Sequence, residues 1–167
     1  SGDVVVSGSI SGDYSLTKTG AGTLTLSGPA NTYTGGTVIN DGAVVIDNTS
    51  GTAALGAAGK NLTMGGGSLD LGGISQTIGA LSVTAAAASG DTISNGSLTG
   101  TSYSISNASG EAVISANLLA NGSIGLTKSG DGTAVLGGTN TYAGTTNIAG
   151  GTLKLASAGA LPNGNLA

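Results

Sequence analysis

Short runs of alternating apolar and polar residues recur along this chain, and most of them follow a glycine directly. In these runs the first apolar residue lies two positions after the glycine, and the second lies four positions after it. Because alternate residues of a strand face opposite sides, each run predicts a short strand with one buried face. The glycines that open the runs follow one another at intervals of 19 to 25 residues: Gly2, Gly22, Gly42, Gly67, Gly90, Gly110, Gly132 and Gly151. One strand-like unit per period indicates a solenoid, in which each coil buries its apolar face on its neighbours.

A second series of apolar positions precedes the first within each period and predicts a second strand per coil. Its members are Leu16, Ile39, Leu62, Met64, Leu81, Val83, Tyr103, Ile105, Leu126 and Ile148. Glycine and asparagine lie between the two series, where a sharp corner needs the left-handed backbone conformations that these residues tolerate. The rest of each coil predicts a third, less regular side. The predicted fold is all-β: a right-handed single-stranded parallel β-helix, or solenoid, of about eight coils of roughly 20–25 residues, forming a rod of roughly 40 Å.

The register of this β-helix is well specified in some coils and weakly specified in one. Asp70 and Lys154 lie between leucines and are predicted to point outward, because a one-residue slip would bury their charges. The run after Gly90 offers Ile93 one position late, which predicts a local irregularity. A solvated acidic edge is expected from the three acidic residues that follow a glycine of the series: Asp3, Asp91 and Glu111.

Composition narrows the possible functions. With 38% hydrophobic residues among 167, the chain is apolar enough to build a core, so simple disorder is not expected. Four lysines, no arginine and a net charge of -4 argue against a nucleic-acid partner. No apolar run approaches about 18 residues, so direct membrane insertion of this segment is not expected. The most nearly helical stretch, residues 85–88, is too short to form a helix alone.

The residues that most catalytic and metal sites need are missing. The chain has no histidine and no cysteine, which removes the usual ligands of zinc, copper and haem. Asp41 and Asp47 flank one run and could pair as in a glycoside hydrolase, but ordinary turn residues are the simpler interpretation. Asp131, between two glycines, lacks the tandem repetition of a calcium-binding nonapeptide. The sequence therefore predicts no enzyme, no catalytic or metal site and no cofactor.

A longer repeat is superimposed on the coil period. Residues 16–46, LTKTGAGTLTLSGPANTYTGGTVINDGAVVI, match residues 126–155, LTKSGDGTAVLGGTNTYAGTTNIAGGTLKL, with one deletion. Residues 159–166 resemble residues 53–62 in turn, so the second unit continues as the first does. We therefore expect residues 1–167 to form one continuous β-helix segment of a longer protein.

The blocks NTYTGG and NTYAGT, each preceded by an LTKxGxGT motif and followed by a glycine-led strand, resemble the passenger-associated transport repeat of bacterial autotransporters. The resemblance covers residues 16–46 and 126–155 and implies a parallel β-helix. It also implies a passenger domain that is anchored at the outer membrane or secreted, and that is attached to a C-terminal β-barrel translocator outside this sequence. In such passengers the repeat is expected to aid folding and secretion, while adhesion or enzymatic activity often resides elsewhere.

Residues that occupy the same place in both repeats are the candidates for a partner contact. Tyr33 and Tyr142 predict either an aromatic that stacks on a carbohydrate or partner, or a tyrosine packed over a turn with its hydroxyl bonded to backbone. Asn31 and Asn140, two positions earlier, suit a partner contact or, more simply, hydrogen bonding at a corner.

Two lysines, Lys18 and Lys128, are matched between the repeats as well. They suggest a sugar or acid contact or, as the simpler interpretation, surface lysines that protect a strand edge from pairing. Taken together, the sequence predicts a non-catalytic structural stalk that also serves as a scaffold for folding and secretion at the bacterial cell surface. The alternative is an adhesin segment whose lateral face binds host glycans or matrix, or associates with the same segment on another cell.

Overall fold

The computed structural model describes residues 2–48, 51, 53–84, 90–162 and 166–167. These residues form eighteen strands of three or four residues each. The nearly helical stretch at residues 85–88 lies outside the described residues. The strands are short because each coil must turn a corner at a glycine or a polar residue before the next side begins.

The strands stack into three parallel sheets. The first sheet contains, in spatial order, β1 (Val4–Val6), β3 (Thr23–Leu26), β5 (Ala43–Ile46), β7 (Gly67–Asp70), β10 (Asp91–Ser94), β13 (Glu111–Ile114), β16 (Thr133–Leu136) and β18 (Thr152–Leu155). The second contains β2 (Leu16–Lys18), β4 (Thr37–Ile39), β6 (Leu62–Met64), β9 (Ala80–Val83), β12 (Ser102–Ile105), β15 (Leu126–Lys128) and β17 (Thr146–Ile148). The third contains β8 (Ser75–Thr77), β11 (Ser97–Thr99) and β14 (Asn117–Leu119).

This strand order confirms the predicted parallel solenoid. Consecutive strands of one sheet come from consecutive coils, so the chain climbs by one coil at each passage. The stack completes about seven turns, slightly fewer than the eight coils expected. Backbone pairing therefore joins each coil only to the coil before it and the coil after it, as in a solenoid.

The core runs along the axis between the sheets. In the first sheet Leu24 pairs with Val44, and Val44 pairs with Leu69, and all three are buried. Their neighbours along each strand face outward, and Lys154 is exposed as predicted. Alternation thus determines which residues enter the core, because a strand presents successive side chains to opposite faces.

The weakly specified coil at Gly90 is where the register of the first sheet changes. Leu69, two positions after its glycine, pairs with Ile93, which pairs in turn with Ile114, four positions after its glycine. The glycine frame therefore slides by one residue from β7 to β10 and by one more from β10 to β13, which makes two residues in all. The predicted irregularity takes this form. A two-residue slide leaves apolar side chains on the buried face, because the period of a strand is two.

The slide also changes the position of Asp91. Asp91 pairs with Gly67 on one side and Ala112 on the other, and its side chain is 2% exposed. The expected solvated acidic edge is therefore wrong for Asp91, because the one-residue step from β7 to β10 turns this residue toward the interior. Asp3 and Glu111 are exposed, as expected.

Gly42 shows why a glycine opens the strands of the first sheet. Its φ is +71°, a conformation that L side chains rarely adopt. A methyl group at this position would also overlap the carbonyl oxygen of Gly20 in the preceding coil. The corner is therefore a close approach of two backbones, which only glycine permits.

The third side is less regular, as predicted. Its three strands come from coils in the middle of the chain, and the described residues of the two repeats form no strand there. Backbone groups on this side still need hydrogen-bond partners where the ladder is interrupted. Side chains of the two repeats supply those partners.

Candidate functional site

Asn31 lies inside the third side of its coil, with 3% of its side chain exposed. Its Oδ1 accepts a hydrogen bond from the backbone N–H of Ile10 at 2.8 Å, in the preceding coil. Its Nδ2 donates to the carbonyl oxygen of Ala54 at 2.7 Å, in the following coil. One buried amide therefore joins three successive coils at a place where the strand ladder is absent.

Asn140 repeats this arrangement in the second repeat. Its Oδ1 accepts from the backbone N–H of Leu118 at 2.8 Å, and its Nδ2 donates to the carbonyl oxygen of Ala160 at 2.7 Å. The residues that Asn31 and Asn140 contact in the next coil, Ala54 and Ala160, also correspond in the sequence. We call Asn31 and Asn140 the amide clamps, because each ties its coil to both neighbours.

Gln76 makes similar contacts and was missed by sequence reasoning. It is 1% exposed, its Oε1 accepts from the N–H of Ala54 at 2.8 Å, and its Nε2 donates to the carbonyl oxygen of Gly51 at 3.0 Å. It precedes Ile78 by two positions in an alternating run, so its inward direction was available from the pattern. A polar residue at an inward position of a strand is the signal that finds it.

Tyr33 and Tyr142 are buried in the core, with 1% and 0% of their side chains exposed. The hydroxyl of Tyr33 is hydrogen-bonded to the hydroxyl of Thr37 at 2.7 Å, and that of Tyr142 to Thr146 at 2.7 Å. The partner is thus a threonine four positions later, rather than backbone as expected. Thr37 in turn donates to the carbonyl oxygen of Leu55 at 3.1 Å, which extends the chain of bonds into the next coil.

Burial determines the ionisation of these rings. Loss of hydration raises the pKa of Tyr33 to about 12, with the Thr37 hydrogen bond acting in the opposite direction. Burial also raises the pKa of Tyr142 and of Tyr103, whose ring centre lies 6.0 Å from that of Tyr142. All three rings are therefore neutral hydrogen-bonding groups of the core near neutral pH.

Partner contact through Tyr33, Tyr142, Asn31 and Asn140 stays a prediction, and their burial argues against it. A ring that is at most 1% exposed has no face to present to a sugar. The amide clamps have both polar atoms engaged within the rod. In each repeat the asparagine bonds to both neighbouring coils, and the tyrosine hydroxyl bonds to a threonine of its own coil.

Lys18 is 9% exposed and points into the corner between the second and first sheets. Its Nζ donates to the carbonyl oxygens of Thr19 at 3.2 Å and Gly20 at 2.5 Å, both in its own corner. It also donates to the carbonyl oxygen of Asp41 at 3.1 Å, in the corner of the next coil. Three carbonyl dipoles from two successive corners therefore surround the ammonium.

Lys128 forms the same cage in the second repeat and is 0% exposed. Its Nζ donates to the carbonyl oxygens of Ser129 at 2.5 Å, Gly130 at 2.8 Å and Gly150 at 3.4 Å. Burial lowers the pKa of Lys128, and the charge of Asp131 raises it in part. We call the two sets of contacts the lysine cages.

The expectation that Lys18 and Lys128 protect a strand edge at the surface is wrong. Both lie on the inward side of the second sheet, where Lys18 pairs with Ile39 and Lys128 pairs with Ile105. Alternation predicts this inward direction, because each lysine lies two positions after a leucine that faces inward. The sequence interpretation gives more weight to the charge of these lysines than to the alternation of inward and outward positions.

The acidic residues form no recognisable catalytic or metal arrangement in the part of the chain that the structure describes. No cluster of three or more potential metal-ligating side chains occurs there. Asp41 accepts a hydrogen bond from the N–H of Gly42 at 2.8 Å, the contact of an ordinary turn residue. Among the same residues, no helix has the length and apolar character needed to cross a membrane.

The outward face of the second sheet is mostly hydroxylated. Its central column consists of seven residues that pair in register: Thr17, Val38, Thr63, Ser82, Ser104, Thr127 and Asn147. Successive members of such a column lie about 4.8 Å apart. This polar, weakly charged column is part of the lateral surface that the rod presents to its surroundings.

Comparison with known proteins assigns the two repeats. The family described as passenger-associated-transport-repeat matches residues 16–46 and 126–155. These segments contain both lysine cages and both amide clamps. Buried side chains that bond from one coil to the next also occur outside these segments, as at Gln76.

A longer relative is the adhesin BmaC autotransporter of Brucella suis biovar 1 (strain 1330), which is 35% identical over 142 residues. The alignment covers 81% of this chain and 4% of the relative, so the chain spans a small part of that protein's length. No solved structure matches the chain. Residues 16–46 and 126–155 therefore match the passenger-associated-transport-repeat family, as the sequence motifs predicted.

Proposed function

We propose that this chain is a non-catalytic stalk of an autotransporter-type passenger at the bacterial cell surface, and a scaffold for its folding and secretion. The observation that carries the proposal is the locality of the contacts. The strand pairs join successive coils, and the amide clamps and lysine cages reach only the adjacent coils.

Local contacts suit a chain that folds as it emerges from a membrane. A coil needs only its neighbour to bury its apolar face, so the rod can grow one coil at a time. Each docked coil hinders return of the chain, which would bias movement outward. The C-terminal translocator that such passengers require, and the position of this rod at the cell surface or outside the cell, are parts of the same proposal.

Surface display tests the scaffold function. The chain is fused to an autotransporter translocator, and Leu24→Asp is combined with Leu26→Asp to introduce charges into a buried strand. Display, measured by antibody labelling of intact cells, should fall several-fold because that coil cannot pack. Thr25→Asp is the control, since Thr25 lies between the two leucines and faces outward. Unchanged display of the double variant would contradict the proposal.

The alternative is an adhesin segment, which the name of the Brucella relative favours. Its binding surface would be a lateral face, such as the hydroxylated column of the second sheet, and its ligand a glycan, a matrix protein or the same rod on another cell. Replacing residues 1–167 with an equal number of coils from an unrelated, inert β-helix separates the two functions. Retained adhesion with normal display would support a stalk, whereas lost adhesion with normal display would support recognition by the lateral face.

A further inference from the structure

We propose that Lys18 and Lys128 are register keys: each ammonium selects the one alignment of the following coil that completes its cage of backbone carbonyls. The inference deepens the proposed scaffold function and rests on it. It concerns how a chain of near-identical coils pairs each strand at the correct position.

The problem that such a key solves is visible in the molecule itself. Between β7 and β13 the glycine frame of the first sheet slides by two residues in two steps of one, and the apolar residues Leu69, Ile93 and Ile114 still pair in the interior. Hydrophobic burial alone therefore tolerates a two-residue slide, because the side-chain period of a strand is two. Elsewhere in the rod another interaction must exclude the same slide.

The lysine cages depend on the alignment of two corners. In the first repeat, Thr19 and Gly20 contribute carbonyls from the lysine's own corner, and Asp41 contributes one from the next corner. If the next coil slid by two residues, the Asp41 carbonyl would leave the ammonium. A buried ammonium that loses a hydrogen-bond acceptor is strongly disfavoured.

A second contact adds a steric requirement to the choice of register. A methyl group added at Gly42 would lie 2.5 Å from Lys18 Nζ, and one added at Gly151 would lie 2.9 Å from Lys128 Nζ. The glycine of the next coil thus closes over the ammonium, and a slide of two residues would bring Val44 or Asn40 to that place in the first repeat. Either side chain would collide with the lysine.

Corner length fits the same interpretation. Three residues separate Lys18 from Gly22 and Lys128 from Gly132, whereas two residues separate Ile39 from Gly42 in the coil that follows. The longer corner contains Thr19 and Gly20, which supply two of the three carbonyls that the ammonium binds. Ile39 and Met64 occupy the same column as Lys18, so an apolar side chain fills this space where no cage is formed.

Cysteine cross-linking tests the proposal in the purified chain, which contains no natural cysteine. Thr17→Cys with Val38→Cys reports the native register, because these residues pair directly and face outward. Thr17→Cys with Asn40→Cys reports a slide of two residues. Direct partners lie about 4.8 Å apart, within reach of a disulfide, whereas residues offset by two lie roughly 8 Å apart and are out of reach.

Each cysteine pair is combined with Lys18→Met, refolded from denaturant and oxidised, and the cross-linked fraction is measured by gel shift and mass spectrometry. The slipped pair should cross-link roughly tenfold more than in the parent background, the change expected when one register loses its charge-assisted hydrogen bond. Lys18→Gln, which keeps N–H donors, should restore most of the native register. Lys154→Met is the matched control, because Lys154 is an exposed lysine.

Slipped cross-linking that stays at the parent level in Lys18→Met would overturn the proposal. Loss of both cross-links together with the β-sheet circular dichroism signal would also overturn it, because the lysine would then be needed for folding as such rather than for choosing a register. The experiment involves no export, so its outcome is independent of whether the display test supports the scaffold function.

Discussion

The coils of the two transport repeats differ from the coils between them in how they hold their neighbours. In the repeats, buried amides, hydroxyls and an ammonium bond across coil boundaries. In the intervening coils the inward column that contains Lys18 and Lys128 is filled by Met64, Val83 and Ile105, which contribute only packing. The polar inter-coil bonds of these coils come from other positions, such as Gln76. Both regions stack in the same sheets, so a buried lysine in this column is not needed for a coil to stack.

This difference indicates that the buried lysines of the repeats serve the alignment of the coils. Burying an ammonium carries a desolvation cost, and an apolar side chain of similar volume is often at least as stabilising. An apolar column, however, accepts a slide of two residues in total, as the two steps on either side of the Gly90 coil show. A repeat placed at intervals along such a rod would reset the register before errors accumulate.

The largest effect is expected when a lysine is placed in the same column of an intervening coil. Ile105→Lys should destabilise the chain by about 4 kcal/mol, because a buried charge without a prepared set of acceptors is strongly unfavourable. The corner after Ile105 already contains the amide of Asn107, which donates to the carbonyl oxygen of Thr133 at 3.0 Å. Urea unfolding followed by circular dichroism measures the effect. Thr127→Lys, on the outward face of a repeat, is the control, and an equal loss in both variants would contradict a dedicated cage.

The closing glycine of a cage gives the next largest effect. Gly42→Ala should cost about 3 kcal/mol, because it combines a strained positive φ with overlap onto the preceding coil. Gly20→Ala in the same cage has a similar φ of +74° but open space around the added methyl group, so it should cost only about 1 kcal/mol. Similar losses in the two variants would show that backbone strain alone explains the glycine.

Replacement of an amide clamp by an apolar residue gives the third largest effect. Asn140→Leu places in the repeat the residue type found at Leu98 and Leu118 in the third sheet. It should destabilise the chain by about 2 kcal/mol, because the N–H of Leu118 and the carbonyl of Ala160 lose their buried partners. Hydrogen exchange should show faster opening of the Leu118 amide in particular. Retained protection of that amide would argue that the clamp is dispensable.

Sequence alone predicted the parallel coils and the inward faces, because hydrophobic alternation and glycine spacing are local signals. The sequence-based prediction is wrong where a charged residue is buried. Lys18 and Asp91 were placed outside because charged residues rarely enter a core, yet one is enclosed by carbonyls and the other is turned inward by the register slide. Prediction of the lysine cages and amide clamps requires knowing which backbone groups of a neighbouring coil lack partners. That information exists only after the coils are stacked.

The smallest effect concerns the hydroxyl of Tyr33 and depends on pH. Tyr33→Phe should cost about 1 kcal/mol at neutral pH, where it removes one buried hydrogen bond to Thr37. The pKa of Tyr33 is raised to about 12 in the folded chain, so between pH 10 and 12 the unfolded chain loses this proton first. In this window the folded state binds more protons than the unfolded state. The free energy of unfolding of the wild-type chain therefore falls as pH rises through it. Tyr33→Phe lacks this loss, so urea midpoints of the two proteins should converge above pH 10; a constant difference would mean that the hydroxyl titrates equally in both states.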